Sequence, residues 1–139
     1  MQNAPTISII DDDESVRLAV KSLVRSLGWM AYTFASAEEF LQSPHVDDSS
    51  CLITDLQLPG MNGLKLQNVV LAQGRGMPII FVTAFPEERF QKRALEAGAV
   101  GFLSKPFDGQ TLITLVEGAL KRGRDTQRSP LKAARGKMT

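Results

Sequence analysis

Residues 51–63 read CLITDLQLPGMNG, and this stretch contains the structural unit from which the fold is built. Its first part, Cys51 to Thr54, is apolar or β-branched and predicts a short buried strand that ends at Asp55. Leu56 to Gly63 contain proline, glycine and asparagine, which are typical of a loop. A helical pattern then runs from Leu64 to Ala72. The stretch therefore predicts a strand, a loop and a helix, with a carboxylate where the strand ends.

The same unit recurs along the chain. Four more short apolar or β-branched runs predict strands, at Ile7 to Ile10, Ala31 to Phe34, Ile79 to Thr83 and Gly101 to Ser104. Each is followed by a segment in which apolar residues recur at helical spacing. This alternation is typical of βαβ units around a parallel sheet. We therefore predict an α/β fold, (βα)5, with a doubly wound parallel five-stranded sheet of order 2-1-3-4-5, as in flavodoxin-like proteins.

Capping residues mark several predicted helix ends. Ser36 and Glu39 form a capping-box pattern that opens a short helix through Leu41. Gly28 suits the C-terminal end of the first helix, and Asp108 is a preferred cap for the last one.

Length and composition exclude several classes of protein. The 139 residues fit a single domain, and 43% apolar with 22% charged residues is ordinary globular usage. No apolar run exceeds five residues, whereas a membrane span needs about 20, so we expect no membrane insertion. The N-terminus lacks a secretory-signal pattern, and a lone cysteine excludes an internal disulfide framework. We therefore expect a cytoplasmic protein.

Basic residues are concentrated near the C-terminus. From Arg122 onward there are six basic residues and one acidic residue, whereas residues 1–121 carry 10 basic and 14 acidic residues. The tail also lacks a sustained apolar period. We therefore divide the chain into a domain over residues 1–121 and a basic flexible tail or linker stub over residues 122–139.

Polar side chains follow four of the predicted strands. The residues are Asp11 and Asp12 after the first strand, Asp55 after the third, Thr83 at the end of the fourth and Lys105 after the fifth. In an open parallel sheet, ligands bind at the carboxyl ends of the strands, where the strand order reverses. The order 2-1-3-4-5 makes the first and third strands neighbours there. Three carboxylates are therefore expected to meet at one edge.

Clustered carboxylates repel one another, and a hard divalent cation is the simplest compensation. Magnesium takes oxygen ligands and completes its shell with water and phosphate oxygen. The single histidine, His45, is distant from this edge in sequence, which argues against a zinc-type site. A magnesium ion flanked by Lys105 and Thr83 suits a phosphoryl group. Since a carboxylate can itself become an aspartyl-phosphate, Asp55 on the central strand is the best acceptor candidate.

Single residues of this set have simpler explanations. Asp13 and Glu14 are better read as capping residues of the first helix. Thr83 alone would be an ordinary strand residue, and Lys105 alone a surface charge. Packing gives no reason, however, to collect three carboxylates at one edge, so the shared position favours a functional site.

Four motifs resemble the receiver domains of bacterial two-component response regulators. They are IIDDDE at 9–14, ITDLQLPGMNG at 53–63, FVTA at 81–84, and the segment from AGA at 97–99 to KPF at 105–107. Their order and spacing are specific, and the resemblance covers residues 6 to about 121. VR at 16–17 and SAEEFL at 36–41 are most similar to receivers of the nitrogen-fixation-regulator type.

The resemblance implies a phosphorylation site. Asp55 would accept a phosphoryl group from a sensor histidine kinase. Asp11 and Asp12 would hold Mg²⁺ together with Asp55 and the backbone carbonyl of Gln57. The domain would be a phosphoacceptor rather than an enzyme, catalysing only its own phosphorylation from small donors and its own dephosphorylation.

The resemblance also implies a switch. Thr83 would bind a phosphoryl oxygen, and Lys105 would pair with it, aimed inward by a cis Lys105-Pro106 bond. Phe102, which also suits the core, would move inward when Thr83 is drawn to the phosphate. The fourth and fifth helices would bind an unknown downstream protein, and a phosphorylation-dependent dimer is a further expectation. Only about 18 residues follow the domain, so we expect no DNA-binding domain among them, and both a stand-alone receiver and a piece of a longer regulator stay open.

Other functions stay open on sequence alone. A haloacid-dehalogenase-like phosphohydrolase would use Asp11 as its nucleophile, but the chain lacks room for a cap domain. A pseudo-receiver would keep the fold without phosphorylation, although all five site positions are filled. A flavodoxin is disfavoured because carboxylates after the first strand would repel an anionic cofactor.

Overall fold

The computed structural model describes residues 4–128, in which five strands alternate with five helices. The strands are β1 (Thr6–Ile10), β2 (Met30–Phe34), β3 (Cys51–Asp55), β4 (Ile79–Thr83) and β5 (Gly101–Ser104). The helices are α1 (Glu14–Ser26), α2 (Ala37–Leu41), α3 (Gly63–Ala72), α4 (Glu88–Glu96) and α5 (Gly109–Arg128). All neighbouring strands are parallel, in the order β2-β1-β3-β4-β5. The predicted (βα)5 fold is confirmed.

The sheet separates two apolar layers because successive side chains of a strand point to opposite faces. Ile53 and Ile80 pack with α1 and α5, whereas their neighbours Leu52 and Phe81 pack with α2, α3 and α4. The central strands β3 and β4 are buried along their whole length. This explains why they appear in the sequence as nearly continuous apolar runs rather than as alternating patterns.

The predicted caps at the starts of the helices are present. Asp13 caps α1, and its carboxylate accepts a hydrogen bond from the Ser15 N–H at 2.9 Å. The Ser36 hydroxyl accepts from the Glu39 N–H at 3.1 Å, and the Glu39 carboxylate accepts from the Ala35 N–H at 3.3 Å. Together these two hydrogen bonds cap the N-terminal end of α2 and fix its start beside the carboxyl end of β2.

The last helix extends further than its apolar pattern indicates. Asp108 caps α5 as predicted, accepting from the Thr111 N–H at 3.1 Å, but the helix runs to Arg128. Residues 122–128 are therefore helical, although their composition predicts a flexible tail. The apolar period ends before them, yet the arginines and the glutamine of this segment favour helix in themselves. The remainder of the predicted tail, residues 129–139, lies outside the described residues.

Cys51 in β3 provides a test of the packing against α1 and α5. The side chain is fully buried, and burial raises the pKa of its thiol to about 12. Because only the thiolate is nucleophilic, we expect an aromatic disulfide reagent to react at least about 100-fold more slowly with the folded protein than with the urea-unfolded chain. Rapid labelling of the folded protein would contradict this packing.

The same shift sets the direction of a pH effect. The unfolded thiol ionises near its ordinary pKa of 9.0, below the folded value of about 12. The unfolded chain therefore loses this proton first, and the free energy of unfolding should fall as the pH rises above about 9. Urea unfolding between pH 8 and 10 measures the slope, and Cys51→Ala should make it shallower.

Candidate functional site

A cavity of about 670 Å³ opens at the carboxyl edge of the sheet. Five of the predicted site residues line it: Asp11, Asp12, Asp55, Gln57 and Lys105. The loop between β3 and α3 forms one wall, and Ala84 and Phe85 after β4 form another. The structure therefore brings together residues that are up to 94 positions apart in the sequence.

The strand order places the carboxylates side by side. β1 pairs with β3 so that Ile10 lies opposite Thr54, and the acidic residues come directly after this pair. Oxygen atoms of Asp11, Asp12 and Asp55 all lie within 4.8 Å of one another. Asp11 is 1% exposed and Asp55 6% exposed, whereas Asp12 is open to solvent. Two of the three charges are thus held largely away from water.

Lys105 supplies the positive charge of the cluster. Its Nζ donates to Asp11 Oδ2 at 2.7 Å and to Asp55 Oδ2 at 2.9 Å. Its backbone N–H donates to the Thr83 carbonyl at 2.8 Å, and the Lys105-Pro106 bond is cis, as the resemblance implied. One ammonium group therefore faces three carboxylates, which leaves the cavity negatively charged.

The pKa values of Asp11 and Lys105 are both raised above their ordinary values, for different reasons. Burial raises the pKa of Asp11, even though hydrogen bonds from Lys105 and the Asp13 N–H act in the opposite direction. For Lys105, burial lowers the pKa, but the hydrogen bonds to Asp11 and Asp55 outweigh it and raise the pKa above its ordinary value. The shifts differ in cause because Asp11 is more deeply buried than Lys105. The Lys105 shift shows that the carboxylates stabilise a positive charge, and the Asp11 shift shows that burial makes its negative charge costly.

The donor set fits magnesium. Three carboxylates offer hard oxygen ligands within reach of one ion, and the open side at Asp12 leaves room for water. Gln57, whose carbonyl the resemblance implies as a further ligand, lines the same cavity. His45 lies elsewhere, stacked on Tyr32 with ring centroids 3.6 Å apart, so it does not convert this site to a zinc-type one.

The two predicted switch residues lie behind the cavity. Thr83 is fully buried, and its hydroxyl accepts from the Phe85 N–H at 3.1 Å. Phe102 in β5 packs against the α2–α3–α4 layer, with its ring centroid 6.3 Å from that of Phe81. The core role expected for Phe102 is confirmed, and its switch role stays a prediction.

Several supporting contacts had no assigned role in the sequence analysis. Arg17 donates to the Asp11 carbonyl at 2.7 Å, and the Glu38 carboxylate accepts from the Met61 N–H at 2.9 Å. Gly63 begins α3 so close to β3 that a Cβ there would lie 2.6 Å from the Asp55 carbonyl oxygen. Of these, only the glycine carries a recognisable local signal, because a glycine at a helix start often marks close backbone approach.

Comparison with known proteins decides the family. The response regulator receiver domain matches residues 7–117, which include all of the residues assigned to the cavity. The chain belongs to the response regulator receiver family. It is therefore a receiver domain of the two-component type, and this fits better than a phosphohydrolase or a pseudo-receiver. Members of this family are generally not enzymes.

The curated relatives of this receiver support the nitrogen-fixation-regulator type. Nodulation protein W of Bradyrhizobium diazoefficiens is 41% identical over 118 residues, which cover 85% of this chain and 52% of the relative. The transcriptional regulatory protein FixJ of Azorhizobium caulinodans is 33% identical over 128 residues, covering 92% and 61%. The chain thus spans about half the length of the first of these relatives.

Solved receiver structures show the same fold. The structure of FixJ-N is 33% identical with a TM-score of 0.76, covering 87% of this chain and 96% of that one. The response regulator StyR is 35% identical with a TM-score of 0.85, covering 96% and 67%. Within the described part of the receiver, no helix has the length and apolar character that crossing a membrane requires.

Proposed function

We propose that this receiver takes a phosphoryl group from a sensor histidine kinase onto Asp55 in a reaction that requires Mg²⁺. The observation that carries the proposal is the position of Lys105, whose ammonium group bridges the carboxylates of Asp11 and Asp55. An acidic cavity with one cation at its centre suits a ligand that brings both a metal and a phosphate. Asp55 is the acceptor in this proposal because it ends the central strand and touches that cation.

Neighbouring groups orient the Asp55 carboxylate. The Gln57 N–H donates to Asp55 Oδ1 at 3.0 Å, and Lys105 Nζ binds Oδ2. During transfer, a carboxylate oxygen forms a bond to phosphorus while the phosphorus–nitrogen bond to the donor histidine breaks, and the departing imidazole takes up a proton. Lys105 then pairs with the phosphoryl oxygens.

Asp11, Asp12, Asp55 and the Gln57 carbonyl are the proposed magnesium ligands. The ion would neutralise charge on the phosphoryl group as transfer proceeds. The raised pKa of Asp11 supports this assignment, because burial disfavours its charged form and a bound cation would offset that cost.

The switch in this proposal begins at Thr83. Its hydroxyl now accepts from Phe85, and it would turn to donate to a phosphoryl oxygen, after which Phe102 moves inward. This rearrangement alters α4 and α5, which we propose as the surface for a downstream protein or for a phosphorylation-dependent dimer. We also propose that residues 1–121 form the receiver domain and that residues 122–139 form a tail or linker. The protein would be cytoplasmic, where a kinase would supply the phosphoryl group.

Incubation with acetyl phosphate and Mg²⁺, followed by peptide mapping, tests the function. We expect one phosphoryl group per chain, on the peptide that contains Asp55. A chelator should slow uptake by at least about 100-fold, because the clustered carboxylates repel an uncompensated anion. Uptake that ignores the chelator, or label on another residue, would refute the assignment.

A further inference from the structure

Gln67 of α3 is a polar residue inside the apolar layer formed by α2, α3 and α4. Its side chain is 2% exposed, and Nε2 donates to the carbonyl oxygen of Ala94 in α4 at 3.0 Å. Burying an amide costs free energy unless it is hydrogen-bonded, and a leucine would fill similar space without that cost. The amide therefore contributes a defined attachment point rather than extra stability.

The attachment point lies at the C-terminal end of α4. Ala94 is the one fully buried residue of α4, and the partly buried Phe90, one turn earlier, packs against the same apolar layer. The Ala94 carbonyl also accepts from the Ala99 N–H at 3.0 Å, and the Gly98 N–H donates to the Leu95 carbonyl at 3.0 Å. Gly98 makes this closure possible because its φ of +105° is a conformation that other residues rarely adopt. This end of α4 is thus capped by its own backbone hydrogen bonds and is bound to α3 through Gln67.

The N-terminal end of α4 is held differently. Glu87 occupies the cap position without a side-chain capping bond, and its carboxylate instead pairs with Arg89 on the surface at 3.2 Å. The preceding loop is exposed, including Phe85 at 64%. The backbone of this loop is tied to the sheet through the bond from Phe85 N–H to the Thr83 hydroxyl.

We propose that Gln67 is a positioning residue that pins the C-terminal end of α4 to α3, so that α4 pivots about Ala94 while its N-terminal half moves. The trigger rests on the proposed function, in which phosphorylation draws the Thr83 hydroxyl away from Phe85. The released loop frees the N-terminal half of the helix, and the bond between Gln67 and Ala94 stays intact. A local change at the sheet edge then becomes a tilt of the exposed α4 face.

Amide hydrogen exchange of the unphosphorylated protein tests the pin. In Gln67→Leu we expect the amides of Ala97 and Ala99, which close the C-terminal end of α4, to exchange at least about 10-fold faster. The β4 amides should keep their protection from exchange, and the melting temperature should not fall, because the substitution removes a buried polar group. Gln67→Met, of the same length and also lacking a donor, should behave alike, and Gln91→Leu on the exposed face of α4 is the matched control.

Two results would overturn the pin. The C-terminal amides of α4 could keep their protection in both Gln67 variants, or they could lose it in step with β4, which would indicate general destabilisation. The phosphorylated state provides a second comparison. When acetyl phosphate and Mg²⁺ are added to the unsubstituted protein, the amides whose exchange rates change should extend along α4 only to about residue 91. In Gln67→Leu they should extend to residue 99.

The failure of the pin and the failure of the proposed function are distinguishable. If the unsubstituted protein takes up no phosphoryl group, the proposed function fails, and exchange in the unphosphorylated variants still decides the role of Gln67. If it takes up the group and the amides of residues 97–99 respond as strongly as those of residues 85–91, the pivot is refuted alone.

Discussion

Asp55→Asn should take up no measurable phosphoryl group from acetyl phosphate in the presence of Mg²⁺, a fall in rate of at least about 1,000-fold. The amide has nearly the same shape as the carboxylate, but its single oxygen can accept from only one of the two donors, the Gln57 N–H or Lys105, which bind different carboxylate oxygens. The amide is also a far weaker nucleophile than a carboxylate and cannot form the acyl phosphate. Intact mass spectrometry after incubation measures the effect.

The control for this substitution is Asp48→Asn, which removes one exposed carboxylate from the loop between α2 and β3. That variant should be phosphorylated like the unsubstituted protein. Asp55→Asn itself should fold and melt at the same or a higher temperature, because one of three mutually repelling charges is gone. Uptake that persists in Asp55→Asn and maps to Asp11 would instead support the phosphohydrolase alternative.

Lys105→Met should have the largest effect on stability. Its ammonium group, with a side chain 17% exposed, is the shared partner of two buried carboxylates. Removing one partner of a buried ion pair leaves uncompensated charge and costs about 3 kcal/mol, although proton uptake by Asp11 offsets part of it. We therefore expect a loss of roughly 2–3 kcal/mol in the free energy of unfolding at pH 7 with chelator present.

The dependence of this loss on pH and metal identifies its cause. Without the ammonium group, the pKa of Asp11 should rise further, so the folded variant binds more protons than the unfolded chain. Its stability deficit should therefore be largest at neutral pH and shrink as the pH is lowered towards 5. Added Mg²⁺ should also reduce the deficit, since the ion replaces the missing positive charge.

Urea unfolding at pH 5 and pH 7, with and without Mg²⁺, provides the measurement. Lys92→Met removes an exposed lysine of α4 and should change stability by less than about 0.5 kcal/mol. A deficit of Lys105→Met that is the same at both pH values and indifferent to Mg²⁺ would mean that lost packing, and not unpaired charge, is responsible.

The sequence predicts the features of this receiver that follow from local patterns. Strands such as β3 are recognisable because the two apolar layers require apolar residues on both faces of the sheet. The strand order then places Asp11 and Asp55 at one edge before any coordinate is known. The end of α5 is harder to predict from the sequence, because helix propensity continues after the apolar period stops.

Contacts between distant side chains and backbone groups are not predictable in this way. Gln67 lies 27 residues from Ala94, and Glu38 lies 23 residues from Met61. Glutamine and glutamate are common on helix surfaces. The sequence alone therefore does not distinguish Gln67 and Glu38 from ordinary solvent-exposed residues. The backbone acceptor or donor on the other side carries no sequence signal at all. The acidic site is therefore visible in the sequence, whereas the contacts that steady its surroundings are not.

The charged residues of the site come from the ends of three separate strands, and this has a consequence for synthesis of the chain. Asp11 and Asp55 leave the ribosome before Lys105, their shared counter-charge, which follows the edge strand β5 that pairs with β4. A nascent chain that has not yet extruded β5 carries two carboxylates without their lysine. Stable closure of the sheet around them should therefore wait until β5 and Lys105 have been extruded, and fragments that end before residue 105 should lack a settled structure at that edge.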